Sequence, residues 1–304
     1  MLRNFFPALN KHKKLIFCDN AGGSQIPIQV LKKTNNFLIN NYVQPNSNNI
    51  LSKKMTKELN NVNSIANIIL NNKNGNLIYG SSTTGLIYNL SNAMQKLLLA
   101  PKKNIILSDF THESCITPFE RHANNNKIKI NWWQLDNDYS INYNTLLEKV
   151  DNNTSLVVIP HVSNILGNII DIKYLNSEIK KKNKNTKVLV DGVAYLPHGI
   201  IDVYDYNIDF YTVSFYKFCG LRISVCYIKN LDFLENIDNQ NHYMFDNSKK
   251  LESIKKLEVG GYNYECASSL LGLKNYFKDY SKILNNNNNN TNNNNNNTNK
   301  NNNN

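Results

Sequence analysis

Short runs of β-branched and aromatic residues alternate along this chain with longer stretches whose apolar positions recur at helical spacing. That alternation is the signature of a mainly parallel sheet whose strands are joined by crossover helices. Strands are predicted at 76–79, 104–108, 127–135, 155–160, 187–190, 209–213 and 223–228, with further strand material from Leu15. Helices are predicted at 28–42, 53–70, 84–99, 117–123, 143–150, 172–181 and 267–280, the last carrying Leu270, Leu273 and Phe277 on one face. No internal repeat interrupts the pattern.

In such a sheet a ligand lies outside the carboxyl ends of the strands, where the loops gather. The chemically interesting residues fall there. Gly80-Ser-Ser-Thr-Thr-Gly85 follows one strand and opens a helix, so its hydroxyls and N–H groups can converge on a phosphate with the help of the helix dipole. No Gly-Lys-Ser/Thr ends it, so it is not a P-loop. Thr111-His-Glu113, His161-Val-Ser-Asn164, Asp191 and Lys217 follow four further strands. Each has a plain alternative: an N-cap, a loop histidine, an Asp-Gly turn, a solvated strand end. Their convergence is less plain. A lysine after a buried strand, three places beyond Ser214, suits the Schiff-base lysine of a pyridoxal-phosphate enzyme. Asp191 suits the acid that pairs with the pyridine nitrogen and makes the ring an electron sink.

Composition narrows the picture. The 304 residues, 41% of them hydrophobic, suffice for one large α/β domain and part of another. From Asn285 onward only Thr291, Thr298 and Lys300 interrupt asparagine, and a tract that buries no apolar area is expected to be disordered. The net charge of +11 is scattered. Its densest run, Lys180 to Lys187, reads as a helix end and loop, so no nucleic-acid partner is expected. The five cysteines form no Cys-x-x-Cys pair and no zinc spacing, which fits a reduced, cytoplasmic setting and no metal. No apolar run is long enough for a membrane span, and no signal-peptide core is present. The first acid is Asp19, which leaves room for a short basic organellar targeting arm.

The chain resembles the class V aminotransferase family of pyridoxal-phosphate enzymes, and within it the cysteine desulfurase-like branch that includes selenocysteine lyases. The resemblance runs from about Phe6 to Ile283. It rests on Phe17-Cys-Asp-Asn-Ala-Gly-Gly-Ser-Gln25, Thr111-His-Glu-Ser-Cys-Ile-Thr-Pro-Phe119, His161-Val-Ser-Asn-Ile-Leu-Gly167, Val190-Asp-Gly-Val-Ala-Tyr-Leu-Pro-His198 and Glu258-Val-Gly-Gly-Tyr-Asn-Tyr264. It implies the aspartate aminotransferase-like fold of these transferases, with 1–284 as the pyridoxal 5'-phosphate domain, 1–27 as its arm and 285–304 as a tail. Lys217 would form the internal aldimine and shuttle the substrate α-proton. Asp191 would pair with the pyridinium, and His112 would stack on the ring and help proton transfer. Asn164 would bond the phenolate oxygen, while Ser82, Thr83 and Ser214 would hold the phosphate. The family builds its site at a homodimer interface, to which 258–264 would contribute, and acts on a small amino acid such as cysteine.

Departures from the family pattern qualify these implications. The desulfurase pattern has Gln where this chain has Ala194, His where it has Tyr216, and a hydroxyl where it has Gly261. The family's C-terminal small domain, with its carboxylate-gripping arginine and mobile cysteine loop, has no counterpart before the asparagine tract. Of the arginines Arg3, Arg121 and Arg222, only Arg222 falls near Lys217, and there it reads as a strand start. Cys219 reads as a small buried residue. The sequence therefore leaves open desulfurase, aminotransferase, epimerase or other lyase chemistry. It also leaves a degenerate or truncated paralogue that binds the cofactor or a partner without desulfurase activity.

Overall fold

Apolar runs buried on both faces can only be the inner strands of a sheet covered on both sides, and that is how these runs are used. The structure, a computed structural model, describes residues 2–98, 100, 102–233, 237 and 254–298. Its strands are β1 (Asn76–Gly80), β2 (Asn104–Ser108), β3 (Lys129–Trp133), β4 (Thr154–Pro160), β5 (Lys187–Asp191), β6 (Phe210–Ser214) and β7 (Ser224–Ile228). They form one seven-stranded sheet in the order β1-β7-β6-β5-β4-β2-β3. Pairing is parallel from β3 through β6, whereas β7 lies antiparallel to both β6 and β1. So β1 to β6 all point one way. Their carboxyl ends, together with the start of β7, share a single edge.

The helices are α1 (Pro7–Lys11), α2 (Ile28–Asn40), α3 (Ile50–Leu70), α4 (Thr83–Leu98), α5 (Glu113–Asn125), α6 (Tyr143–Leu147), α7 (Ile172–Lys182), α8 (Val203–Tyr206) and α9 (Tyr264–Thr298). Successive strand residues point to opposite faces, which divides the core in two. Ile105, Leu107, Leu156, Val158 and Leu189 pack with Leu86, Leu90 and Met94 of α4 and Phe119 of α5. Ile106, Val157, Ile159, Val188 and Val190 pack with Ile172, Leu175 and Ile179 of α7 and Leu270 and Leu273 of α9. Among the described residues no helix is long and apolar enough to cross a membrane.

Three sequence expectations change, while the expected mainly parallel sheet is found. No strand forms from Leu15. Instead Arg3 Nη2 donates to the carbonyls of Leu9, His12 and Leu15 at 2.9–3.1 Å, and this satisfies the backbone without a partner strand. Helix α5 begins at Glu113 rather than 117, because His112 caps it and the helix carries Pro118 in its interior. Strand β7 is the one antiparallel member of the mainly parallel sheet among the described residues. The backbone of α9 is helical to Thr298, where a disordered tract from Asn285 was expected; a helix already nucleated extends one hydrogen bond per residue. Residues 299–304 of that tract lie outside the described residues.

The contact between α2 and α9 depends on one small residue. A Cβ on Gly272 would lie 2.6 Å from the Cα of Val30 and 2.8 Å from the carbonyl oxygen of Gln29. Alanine in a helix interior gains about 1 kcal/mol in propensity over glycine. A clash with backbone cannot be relieved by a rotamer change, and overpacking costs about 1–3 kcal/mol. An overlap this close with backbone belongs at the upper end of that range, so Gly272→Ala is expected to lower the unfolding free energy by about 2 kcal/mol in denaturant titration. Unchanged or higher stability would contradict the close approach.

Candidate functional site

Each predicted site residue lies at or just beyond a strand end, and the shared edge brings all of them to one cleft. Ser82, Thr83, His112, Asn164, Asp191, Ser214 and Lys217 line a cavity of about 160 Å³. Ser82 and Thr83 follow β1, His112 follows β2, Asn164 follows β4, Asp191 ends β5, and Ser214 ends β6. Lys217 closes the single 3-10 turn Phe215–Lys217 that follows β6.

At one end of the cleft the hydroxyls form a chain. Thr83 Oγ1 lies 2.8 Å from Ser214 Oγ, which lies 2.5 Å from Ser224 Oγ on β7. Ser82 caps α4: its Oγ accepts from the Gly85 N–H at 3.1 Å, and its carbonyl accepts from the Leu86 N–H. The hydroxyl chain thus sits at the positive end of a sixteen-residue helix, a setting suited to an anion. Arg222, in the bend before β7, lines the same cleft with its guanidinium 4.8 Å from the Tyr216 ring centroid. It is not the strand start that the sequence suggested.

At the other end Asp191 is 5% exposed. Its Oδ1 accepts from the Val193 N–H at 3.0 Å. Burial pushes its carboxyl above the usual range; the Val193 N–H, the Cys115 thiol and the charges of His112 and Lys217 pull the other way. A buried acid in this state lacks a cation in contact, and it has no ion-pair partner among the described residues. His112 Nδ1 accepts from the Ser114 N–H at 3.1 Å and lies 2.9 Å from Ser114 Oγ. With Nδ1 used as acceptor, the proton of the neutral ring resides on Nε2.

Two supports have roles that the sequence did not reveal. Ser24, from the arm, donates its Oγ–H to the Tyr216 carbonyl at 2.9 Å and its N–H to the same oxygen at 3.0 Å. Its Oγ also accepts from the Cys219 N–H at 2.6 Å, so one side chain brackets Lys217 from both sides. Cys219 is half-buried rather than buried, and its φ of 59° puts a non-glycine residue in the left-handed region within this turn. Such a contact between positions far apart in the chain leaves no local signal. The second support is His161, 4% exposed, whose ring stacks on Tyr195 at 3.5 Å and whose Nδ1 lies 2.6 Å from Tyr211 Oη. Only its motif context drew attention to it.

Burial pulls the His161 imidazole down to about 4 from its ordinary 6.5. The unfolded chain therefore binds a proton between these values that the folded protein refuses, so the stability that neutral His161 contributes is present above pH 6.5 and falls on acidification towards pH 4. The full window corresponds to about 3 kcal/mol. Asp191, with its raised pKa, contributes with the opposite sign, and it does so equally in a His161→Phe variant. The difference in unfolding free energy between wild type and that variant is expected to slope between pH 6.5 and 4. A difference independent of pH would contradict the buried neutral ring.

Comparison with known proteins places this geometry. The family model for aminotransferase class-V matches residues 16–269. An aminotransferase-like protein, FGM3, of Gibberella zeae is 32% identical over 92% of this chain and 69% of its own length. A cysteine desulfurase of Wigglesworthia glossinidia brevipalpis is 30% identical over 72% of this chain, which spans only 54% of that relative. Among solved structures, a cysteine desulfurase of Thermococcus onnurineus superposes with a TM-score of 0.80 at 19% identity, covering 91% of this chain and 70% of the other. The cysteine desulfurase CsdA of Escherichia coli gives 0.77 at 22% identity, covering 91% and 71%. By sequence and by fold, the chain belongs to the class V aminotransferase family, on its cysteine desulfurase-like branch.

Proposed function

We propose that the cleft binds pyridoxal 5'-phosphate and that the chain forms the cofactor-binding part of an enzyme acting at the α-amino group of a free amino acid, with cysteine as the reference substrate. The observation that carries this reading is the joint placement of Lys217, Asp191 and the Thr83–Ser214 hydroxyl pair around one cavity. The donor set fits the group. Hydroxyls at the start of α4 match a phosphate, and a buried acid without a cation in contact matches a protonated ring nitrogen. When bound, the group supplies a conjugated ring that withdraws electrons from the substrate α-carbon.

The chain's own residues then divide the work. Lys217 Nζ would be the amine that holds the cofactor and, when free, the base that carries the substrate α-proton. Asp191 keeps the ring nitrogen protonated; burial strengthens that interaction because little water competes for the charge. Ser82, Thr83 and Ser214 anchor the phosphate, and Arg222 adds a positive charge on the same side. His112 presents Nε2–H, Asn164 donates to the phenolate oxygen, and Ser24 holds the Lys217 turn in place. The segment 258–264 would meet a second copy of the chain in a homodimer. Among the described residues every cysteine is free, which suits a cytoplasmic setting.

Purified protein supplied with pyridoxal phosphate is expected to show a visible band, and borohydride should fix the label to Lys217 on peptide mapping. Lys217→Ala should show neither. A label on another residue, or a folded protein that does not bind, would sink the reading. Arg222→Ala should weaken pyridoxal phosphate binding about tenfold or more, the scale of a hydrogen bond to a charged group. Unaltered affinity would remove Arg222 from the phosphate side.

A further inference from the structure

A second cavity, of about 600 Å³, adjoins the first, and Val162, Asn164, Ala194 and Lys217 line both. Its other walls differ in chemistry from the hydroxyl-rich cleft. One is the loop Ser163–Asn168, which presents Ile165 and Leu166 and is followed by Ile169; the other runs from Tyr195 to His198 and includes Pro197. Ile165 and Ile169 are 79% and 64% exposed, although they belong to a well-ordered turn. Val162 pairs with Ile169 across it, the Gly167 N–H donates to the Ser163 carbonyl at 2.9 Å, and Ser163 Oγ accepts from the N–H groups of Ile165 and Leu166. The opposite wall is fixed by the stack of Tyr195 on buried His161. Rigid walls, apolar side chains facing open space, and the amine of Lys217 at the common boundary describe a preformed side-chain pocket.

Resting on the reading of the smaller cleft as a pyridoxal phosphate site, we infer that the site takes an amino acid whose side chain is apolar and larger than that of cysteine, held between Ile165, Leu166, Ile169 and Pro197. Ala194 makes this possible. It is the small residue on the partition between the cavities, so a substrate attached to the cofactor can extend past it. A cysteine thiol would leave most of the space unfilled, and a polar side chain of leucine's size would lose its hydration against these walls without a matching set of partners. His198 and Asn20, with Ser163, Tyr195 and the boundary residues Asn164 and Lys217, are the polar members of the lining.

Preformed conjugates test the pocket without turnover. Reduced phosphopyridoxyl-leucine, phosphopyridoxyl-asparagine and phosphopyridoxyl-alanine would be titrated into the cofactor-free chain and followed by calorimetry. The leucine conjugate should bind at least tenfold more tightly than the alanine conjugate and than the asparagine conjugate, its polar equivalent in size. Ala194→Gln and, separately, Ile165→Ser should bring the leucine-to-alanine ratio towards one. The two variants narrow the pocket and remove its apolar wall, and the exposed Ile165 can be changed without disturbing the core. Equal binding of the three conjugates, or a ratio untouched by both substitutions, overturns the inference while leaving the cofactor reading intact. Failure of all three and of free pyridoxal phosphate to bind overturns both.

Discussion

The register of β7 is the constraint on which the site depends. Because β7 runs antiparallel between β1 and β6, its first residue, Ser224, is opposite Gly80 on one side and Ser214 on the other. The loop that opens α4 and the turn that carries Lys217 are thereby held one strand apart, and the Thr83–Ser214–Ser224 hydroxyl chain crosses that gap. A slip of one residue would turn Ser224 to the opposite face and break the chain. A parallel β7 would start at the far edge of the sheet, and Arg222 would leave the cleft with it. The geometry of the hydroxyl-lined end is thus a consequence of strand direction more than of any loop.

The opposite end of the cleft is governed by desolvation. Asp191 and His161 end or follow neighbouring strands β5 and β4, and the His161 N–H donates to the Asp191 carbonyl at 2.8 Å. Both side chains are buried, and both are pushed towards neutrality, the acid upward and the imidazole downward. The consequences differ. His161 has a neutral partner in Tyr211 Oη and a stacked ring in Tyr195, so its neutral form is satisfied where it stands. Asp191 has one backbone N–H and a thiol contact, and the strong acceptor it presents is matched only by a cation. On the proposed reading, histidine here is scaffold and aspartate is site, for reasons of partner chemistry rather than exposure.

What the sequence made legible follows the range of the interactions involved. All the inner strands were readable, because burial on both faces imposes continuous apolar runs, and their ends located the site edge. The Lys217 and Asp191 pair was readable because each directly ends or follows such a run. The direction of β7 was not: its run Ser224 to Ile228 is as apolar as a parallel strand's, and only the connection to its neighbours decides its sense. The start of α5 was obscured by Pro118, which normally signals a helix beginning rather than an interior position. Ser24 was invisible as a clamp, since its partners Tyr216 and Cys219 are distant in the chain and a serine after two glycines reads as loop.

If the proposed reading holds, one partition separates two recognition tasks. On one side lie hydroxyls, a helix terminus and Arg222, which recognise charge and tolerate little change in geometry. On the other lie Ile165, Leu166, Ile169 and Pro197, which recognise area and shape. Lys217 and Asn164 border both, so on the proposed reading the reacting atoms would sit where the two meet. The separation allows the apolar walls to vary without touching the anchoring groups. The Ser163 to Asn168 turn is held by its own backbone and Ser163 Oγ, not by the cofactor side. On the proposed reading, substitutions there would change what is recognised while the chemistry beside Asp191 stays fixed, and the small side chain of Ala194 would set how far the first space opens into the second.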